Sequence, residues 1–354
     1  MDDLNLQAGG FSEAAAASAQ AEAGPAHRAR ALATAGRYRE AVDLLSAEPA
    51  ETLDMATLCE LMIWRSAAFD PQPSQPDWPK RFADPFPGLM RPPEVHVSDL
   101  NAEILGGAIH HHGGLIVREL INAGQTRQLQ QVVRNAFESA HVDEQEVEHE
   151  STQWYSRFPL GADEHLNPVA RSFGEVNGGV WTGDSPRAFA DFVAFLKSHG
   201  VARIIEEYLG ERAFLSLGKS TLRIAKPLPI NGWHQDGSFL GPDVRTVNVW
   251  LTLSDCGEDA PSLDVYSRRL DKLVETGTKG AYMNWTVGPG VIEELSREAP
   301  LVLPVFKAGD AMLFDHLYLH QTGVRPWMTR ERLAIESWFF AGSTFPMKQK
   351  PLAI

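Results

Sequence analysis

Two short stretches of this chain hold residue types that could bind and use a metal ion. Trp233-His234-Gln235-Asp236-Gly237 places a histidine and a carboxylate two residues apart, and Leu319-His320-Gln321-Thr322-Gly323 adds a second histidine. Two imidazoles and one carboxylate fill half of an octahedral iron(II) and leave three positions open for chemistry. Arg332 follows the second stretch, and a guanidinium suits a dicarboxylic cosubstrate.

The His-x-acid pair says little alone. With 12 histidines and 46 acidic residues in 354, about 1.6 such pairs are expected by chance. Two occur, the other being His141-Val-Asp143 in an acidic, helix-like stretch. Context favours the first. On a strand, residues i and i+2 share a face, so His234 and Asp236 can reach one ion while Gln235 points away. Gly232 and Gly237 let the backbone turn on either side. The third ligand must come from elsewhere, and His320 fits best. The step of 84 positions from Asp236 to His320 allows several strands to return beside the first. Lys307-Ala-Gly-Asp310 reads as a turn and Ala311–Phe314 as a strand leading toward it. His316 lacks the x-Thr-Gly that follows His320 and reads as structural. Adjacent side chains cannot converge on one ion, so His110-His111-His112 reads as a helix end.

These residues need a scaffold. Residues 1–25 read as a mobile tail, 26–69 as a helical hairpin and 70–95, with eight prolines, as an extended linker. The hairpin comprises helices over 26–47, turning at Gly36, and 52–69, capped by Thr52. Ala35-Gly-Arg-Tyr-Arg-Glu-Ala41 looks like part of a tetratricopeptide hairpin. One such hairpin cannot build a solenoid, so it should pack on the main domain or on a second copy. Helices are expected over Leu100–Ala108, Thr126–Ala140 and Ala188–Leu209, and a strand from Gly114 to Leu120. Strands then dominate: Ala213–Lys226, Thr246–Leu253, Ser262–Val265, Leu301–Phe306, Asp310–Phe314 and Leu333–Phe340. Helices followed by many short strands suggest an α+β chain with a mainly β core, a barrel or jelly roll buttressed by helices over 96–345. Residues 346–354 read as a C-terminal tail.

WHQDG (233–237), VNVWLTLSD (247–255), KAGDAMLFDHLYLHQTG (307–323) and RERLAIESWF (330–339) together resemble the phytanoyl-CoA dioxygenase family of Fe(II)/2-oxoglutarate oxygenases. GGLIVRELI (113–121) extends the likeness loosely, and the first 95 residues lie outside it. The resemblance implies a double-stranded β-helix, a jelly-roll or cupin-like barrel, with His234, Asp236 and His320 as iron ligands. It implies 2-oxoglutarate and dioxygen as cosubstrates, giving succinate, carbon dioxide and an oxidised product. In the family a basic residue after the distal histidine holds the far carboxylate of 2-oxoglutarate, with a Ser or Thr two residues past that histidine. Thr322 has that position, and Arg330 and Arg332 compete for the basic role. Arg332-Leu-Ala-Ile fits the family's basic-then-apolar strand better. Related halogenases carry Gly or Ala where this chain has Asp236, so a carboxylate here favours hydroxylation or another oxidation. Many members have Pro-Gly-Ser-His where this chain has Val265-Tyr-Ser-Arg-Arg269, which points to an unusual substrate.

Other residues carry smaller expectations. Thr246, Asn248, Trp250 and Thr252 share a strand face, so Asn248 and Trp250, with Phe239 and Trp233 beside the first motif, are expected at a substrate pocket. Thr221 and Arg223 alternate on one strand and could contact 2-oxoglutarate. Trp154, Tyr155, Arg157 and Val176–Gly183 are expected as a lid.

Bulk properties narrow the partners. A net charge of −14 opposes nucleic acid or an anionic membrane as the main partner. No apolar run is long enough to span a bilayer, and no secretory signal opens the chain. Two cysteines, Cys59 and Cys256, form no disulfide framework, which suits a cytoplasmic protein. A small organic molecule is the expected substrate, and the N-terminal helices are an expected site of self-association. Two rival readings remain: a cupin-type metal enzyme that uses no 2-oxoglutarate, and a non-catalytic protein that binds partners through its hairpin.

Overall fold

The computed structural model describes residues 24–354 except 72, 74–79, 145–152, 161–170, 172–177, 229–231 and 347. The expected tail over 1–25 and most of the acidic stretch after Asp143 lie outside the described residues.

Nine helices and eleven strands are described. The helices are α1 (Pro25–Thr34), α2 (Tyr38–Ser46), α3 (Met55–Ala67), α4 (Ala102–His112), α5 (Ala123–Glu144), α6 (Pro186–Ser198), α7 (Val201–Leu209), α8 (Gly237–Leu240) and α9 (Pro289–Ser296). The strands are β1 (Glu94–His96), β2 (Gly114–Arg118), β3 (Gly179–Trp181), β4 (Ala213–Ala225), β5 (Thr246–Thr252), β6 (Ser262–Tyr266), β7 (Leu301–Val302), β8 (Ala311–Phe314), β9 (His320–Gly323), β10 (Arg332–Ala341) and β11 (Pro351–Ala353). A large sheet runs β1-β2-β8-β5-β10-β4-β11, with β3 paired to β4, and a small sheet runs β7-β6-β9. Among the described strands, only β1 and β2 pair in parallel.

Period-two alternation divides the large sheet into two faces. Val247, Val249, Leu251, Leu313, Ile335 and Phe339 point outward and join the apolar residues of α4 to α7 in one core. Trp250, Met312, Phe314, Ala334 and Trp338 point inward and meet Leu263 and Val265 of the small sheet. This is the double-stranded β-helix expected from the motifs. Thr246, Asn248, Trp250 and Thr252 therefore line the barrel interior.

The N-terminal region holds three helices, because the turn expected at Gly36, with φ +75°, divides the first pattern into α1 and α2. Asp54, not Thr52, caps α3 by accepting from the Thr57 amide at 2.7 Å. These helices bury Ala41, Leu45, Leu61 and Trp64 in the chain's own inner cluster. Phe69, next to α3, packs on Phe214 and Phe345 and closes one end of the barrel. Arg65 donates to the Ala353 carbonyl, tying α3 to β11. The last residues are thus a paired strand rather than a tail. The Pro-rich stretch also packs inward at Phe82, whose ring sits where a side chain on Gly106 would clash. The expected helix over Ala188–Leu209 is two helices, α6 and α7, separated at Gly200 with φ +70°. The run Leu301–Phe306 pairs as a strand only at Leu301–Val302.

One buried ion pair joins α7, β5 and the C-terminal segment. Glu211 and Arg245 pair while nearly inaccessible, and both bond Ser343. Removing one partner strands the other charge away from water. Arg245→Ala is therefore expected to destabilise the protein by about 3–5 kcal/mol in urea unfolding.

Candidate metal centre

The first motif is held by the second. His234 and His320 face each other across an antiparallel bridge, exchanging N–H···O bonds of 2.9 and 3.0 Å. His320 opens β9, which pairs with β6 in the small sheet. A side chain at Gly323 would strike the Asp264 backbone at 2.8 Å, so the final glycine of the motif lets β9 lie against β6. Gln235 points away from the histidines and is buried. Its amide donates to the Leu317 and Lys272 carbonyls and accepts from the Val274 amide. It is a brace for the loops rather than a ligand. The chain turns into α8 directly after Asp236, where the Gly237 amide donates to His316 O at 2.8 Å.

His234, Asp236 and His320 each offer a ligand atom within 4.8 Å of the others, the only such acid, histidine or cysteine group among the described residues. The Asp236 Oδ2 atom lies 3.9 Å from His234 Nε2 and 3.6 Å from His320 Nε2. Both Nδ1 atoms face carbonyls, Gly232 O at 2.5 Å and Tyr318 O at 2.9 Å. Nδ1–H therefore donates in each ring, and each Nε2 presents a lone pair inward, the tautomer a metal needs. Burial, with a smaller contribution from His320, pushes the His234 imidazole down to about 4. It is neutral near pH 7, as a ligand must be. Phe314 packs 4.8 Å from the His320 ring and limits its movement.

The competing histidines go elsewhere. His316 donates through Nε2 to the Pro242 carbonyl. His110, His111 and His112 form the last turn of α4. His141 and Asp143 lie near the end of α5. Arg269, within the segment that departs from Pro-Gly-Ser-His, pairs with buried Asp315 at 2.6 Å. Asp315 also accepts from the Leu317 amide, which fixes the loop entering β9.

The two arginines separate by burial. Arg330 is exposed and pairs with Asp259 at the surface. Arg332 is 0% exposed, its guanidinium carbon 4.9 Å from the centre of the Trp250 ring. Its Nη1 donates to the Ser262 carbonyl at 2.9 Å, whereas Nε and Nη2 have no hydrogen-bond partner among the described residues. The nearest carboxylate, Glu336, is 3.9 Å from Nη2 and is shared with Arg223, 3.5 Å away. Burial lowers the Arg332 pKa from its ordinary value. A buried guanidinium with two unused donors is costly unless an anion is to meet it.

The remaining expected residues divide. Thr322 lies on β9. Thr221 lies opposite Glu336 and Arg223 opposite Ala334 in the β4–β10 register. Asn248 accepts from the Ser337 amide in the barrel interior. Phe239 is 40% exposed and stacks 6.2 Å from the His234 ring. Trp233 instead packs with Tyr266, Val287 and Leu319, because alternation turns it away from His234. Trp154 and Tyr155 pack with Val180 and Trp181 in the outer core rather than as a lid, and 176–177 lie outside the described residues. Two neighbours escaped sequence reasoning. Trp285 sits 5.6 Å from the His234 ring in a segment without periodicity, and Lys219 reaches the site through a strand irregularity.

Residues 109–324 match the family model for phytanoyl-CoA dioxygenase. That match covers more than half of the sequence. The chain belongs to the phytanoyl-CoA dioxygenase family. It is accordingly a non-haem iron oxygenase dependent on 2-oxoglutarate, which removes the rival reading of a non-catalytic protein. Solved structures resemble it loosely. The epimerase SnoN in complex with Fe3+, alpha ketoglutarate and nogalamycin RO is 16% identical, covering 68% of this chain and 83% of its own, with a TM-score of 0.43. EctD from S. alaskensis with bound Fe is 14% identical over 68% and 78%, with a TM-score of 0.41. The carbocyclase SnoK from nogalamycin biosynthesis is 13% identical over 70% and 86%, with a TM-score of 0.44. No curated protein matches the sequence. No described helix of this family member is long and apolar enough to cross a membrane.

Proposed function

We propose that His234, Asp236 and His320 hold the Fe(II) of this oxygenase, that Arg332 and Thr322 hold the far carboxylate of 2-oxoglutarate, and that the enzyme hydroxylates a small organic substrate. The observation carrying this reading is the buried Arg332 guanidinium, whose Nε and Nη2 lack partners in the same barrel as a converging His/Asp/His set. The donor set suits a borderline cation with open positions, and the orphaned fork suits a carboxylate.

When bound, iron and 2-oxoglutarate supply the oxidant for C–H hydroxylation, dioxygen and the keto acid giving succinate and carbon dioxide. The chain's own residues set the conditions. The carbonyls of Gly232 and Tyr318 hold both imidazoles as Nδ1–H tautomers. Trp250 covers one face of the Arg332 guanidinium and keeps water from it. Thr221 and Arg223 extend the cosubstrate side along β4, and Arg223 shares Glu336 with Arg332. Phe239 and Trp285 form an aromatic wall beside His234 on the substrate side. Asn248 serves this pocket from β5. Two cysteines without a disulfide fit a reducing, cytoplasmic setting. The N-terminal helices serve as a buttress for the closed barrel end.

The test is succinate formation from 2-oxoglutarate by the purified chain with Fe(II) under air, screened against small organic compounds with 18O2. The expected result is a compound that stimulates succinate formation and gains one labelled hydroxyl. Stimulation with a dehydrogenated, cyclised or epimerised product would replace hydroxylation with another oxidation. No 2-oxoglutarate consumption would favour a metal enzyme with a different cosubstrate.

A further inference from the structure

The β4–β10 ladder changes register beside the metal cluster. Leu215 pairs with Phe339 and Ser220 with Ser337, five residue steps on β4 against two on β10. The three extra residues form a bulge, and an odd insertion swaps the faces of the strand. Before it, Phe214 points into the barrel. After it, Lys219, Thr221 and Arg223 do. Lys219 is thereby turned from the sheet's outer face toward the metal ligands.

Its surroundings are unusual for a lysine. Nζ lies 3.8 Å from the centre of the Phe239 ring, which stacks on His234 and meets Trp285 edge-on. The charged groups felt by Lys219 are Asp236, Glu336 and Arg223, yet no described residue gives it a hydrogen bond or a direct ion pair. Burial lowers its pKa. Half-buried on the Phe239 ring, the ammonium has an aromatic neighbour but no anionic partner of its own among the described residues.

The charges can be summed on the reading that iron and 2-oxoglutarate occupy the site. Fe(II) and Asp236 sum to one positive charge, and Arg332, Arg223 and Glu336 sum to another. The 2-oxoglutarate dianion cancels both. Lys219 is left as one uncompensated positive charge at the substrate side of the cluster. We propose that the substrate of this enzyme carries an anionic group, a carboxylate or its equivalent, and that Lys219 receives it beside the Phe239–Trp285 wall. Lys219 is then a specificity-determining residue, and the bulge in β4 is the device that delivers it.

The test uses the full chain loaded with Fe(II) and 2-oxoglutarate without oxygen, titrated calorimetrically with benzoate against benzamide and phenylacetate against phenylacetamide. Each acid is expected to bind at least about tenfold more tightly than its amide, the usual worth of a charge-assisted contact. Lys219→Met should erase the difference, and Lys219→Arg should retain most of it. A merely structural lysine would not move the acid–amide ratio. Equal binding of acid and amide, or no binding of either acid, overturns the proposal while leaving the cosubstrate assignment intact. Acids that compete with 2-oxoglutarate, with Lys219→Met weakening 2-oxoglutarate instead, also overturn it, because Lys219 then serves the cosubstrate. If 2-oxoglutarate itself does not bind the wild-type protein, the cosubstrate assignment falls and takes this inference with it.

Discussion

Replacing Arg332 with leucine is expected to raise the 2-oxoglutarate concentration for half-maximal turnover by roughly 100-fold or more, the usual cost of stranding a desolvated carboxylate. Without cosubstrate, the same substitution should leave thermal stability nearly unchanged or higher. In the free protein the guanidinium makes one hydrogen bond of 2.9 Å to Ser262 and a poorer one of 3.4 Å to Pro261. Two of its nitrogens make none. An apolar side chain of similar size, packed on Trp250, removes an unpaired buried charge. The combination separates this account from a structural one. A structural arginine would lose stability and leave 2-oxoglutarate demand alone. Arg332→Lys should recover little, because an ammonium cannot offer two parallel N–H donors to one carboxylate.

Asp236→Ala is expected to abolish turnover. Losing an outer partner of a ligand already costs about 10–100-fold in metal affinity or activity, and Asp236 contributes the carboxylate itself. Its oxygen is the atom both Nε2 groups approach, at 3.6 and 3.9 Å. Without it, two imidazoles remain, with half-buried Lys219 nearby. Fe(II) affinity should drop with the activity, read by calorimetry, while the Gln235 brace and the His234–His320 bridge keep the fold. Turnover that persists in Asp236→Ala would place the metal elsewhere.

Much of the candidate site is legible in the sequence because its parts are local. His234 and Asp236 need only strand alternation, and the turn–strand approach to His320 is written in Lys307–Phe314. The face shared by Asn248 and Trp250 follows from period two. What escaped the sequence depends on non-local or irregular geometry. Lys219 faces inward only because three residues are inserted in β4 opposite β10, and no periodicity announces a bulge. Trp285 arrives through a loop. Arg330 and Arg332 differ by two residues and share a strand parity, so burial had to separate them. Trp233 is adjacent to a ligand in sequence but not in space, because alternation sends it into the cluster around Tyr266. The helix over Ala188–Leu209 failed at Gly200, whose left-handed backbone breaks a pattern that hydrophobicity alone carries through.

Conversion of 2-oxoglutarate to succinate by the wild-type chain and by His320→Ala, each with Fe(II) added under air, tests the central claim most directly. The wild type should form succinate in an Fe(II)-dependent manner, and His320→Ala should form none. Equal succinate formation by the two proteins would contradict the assignment of His234, Asp236 and His320 as the iron site.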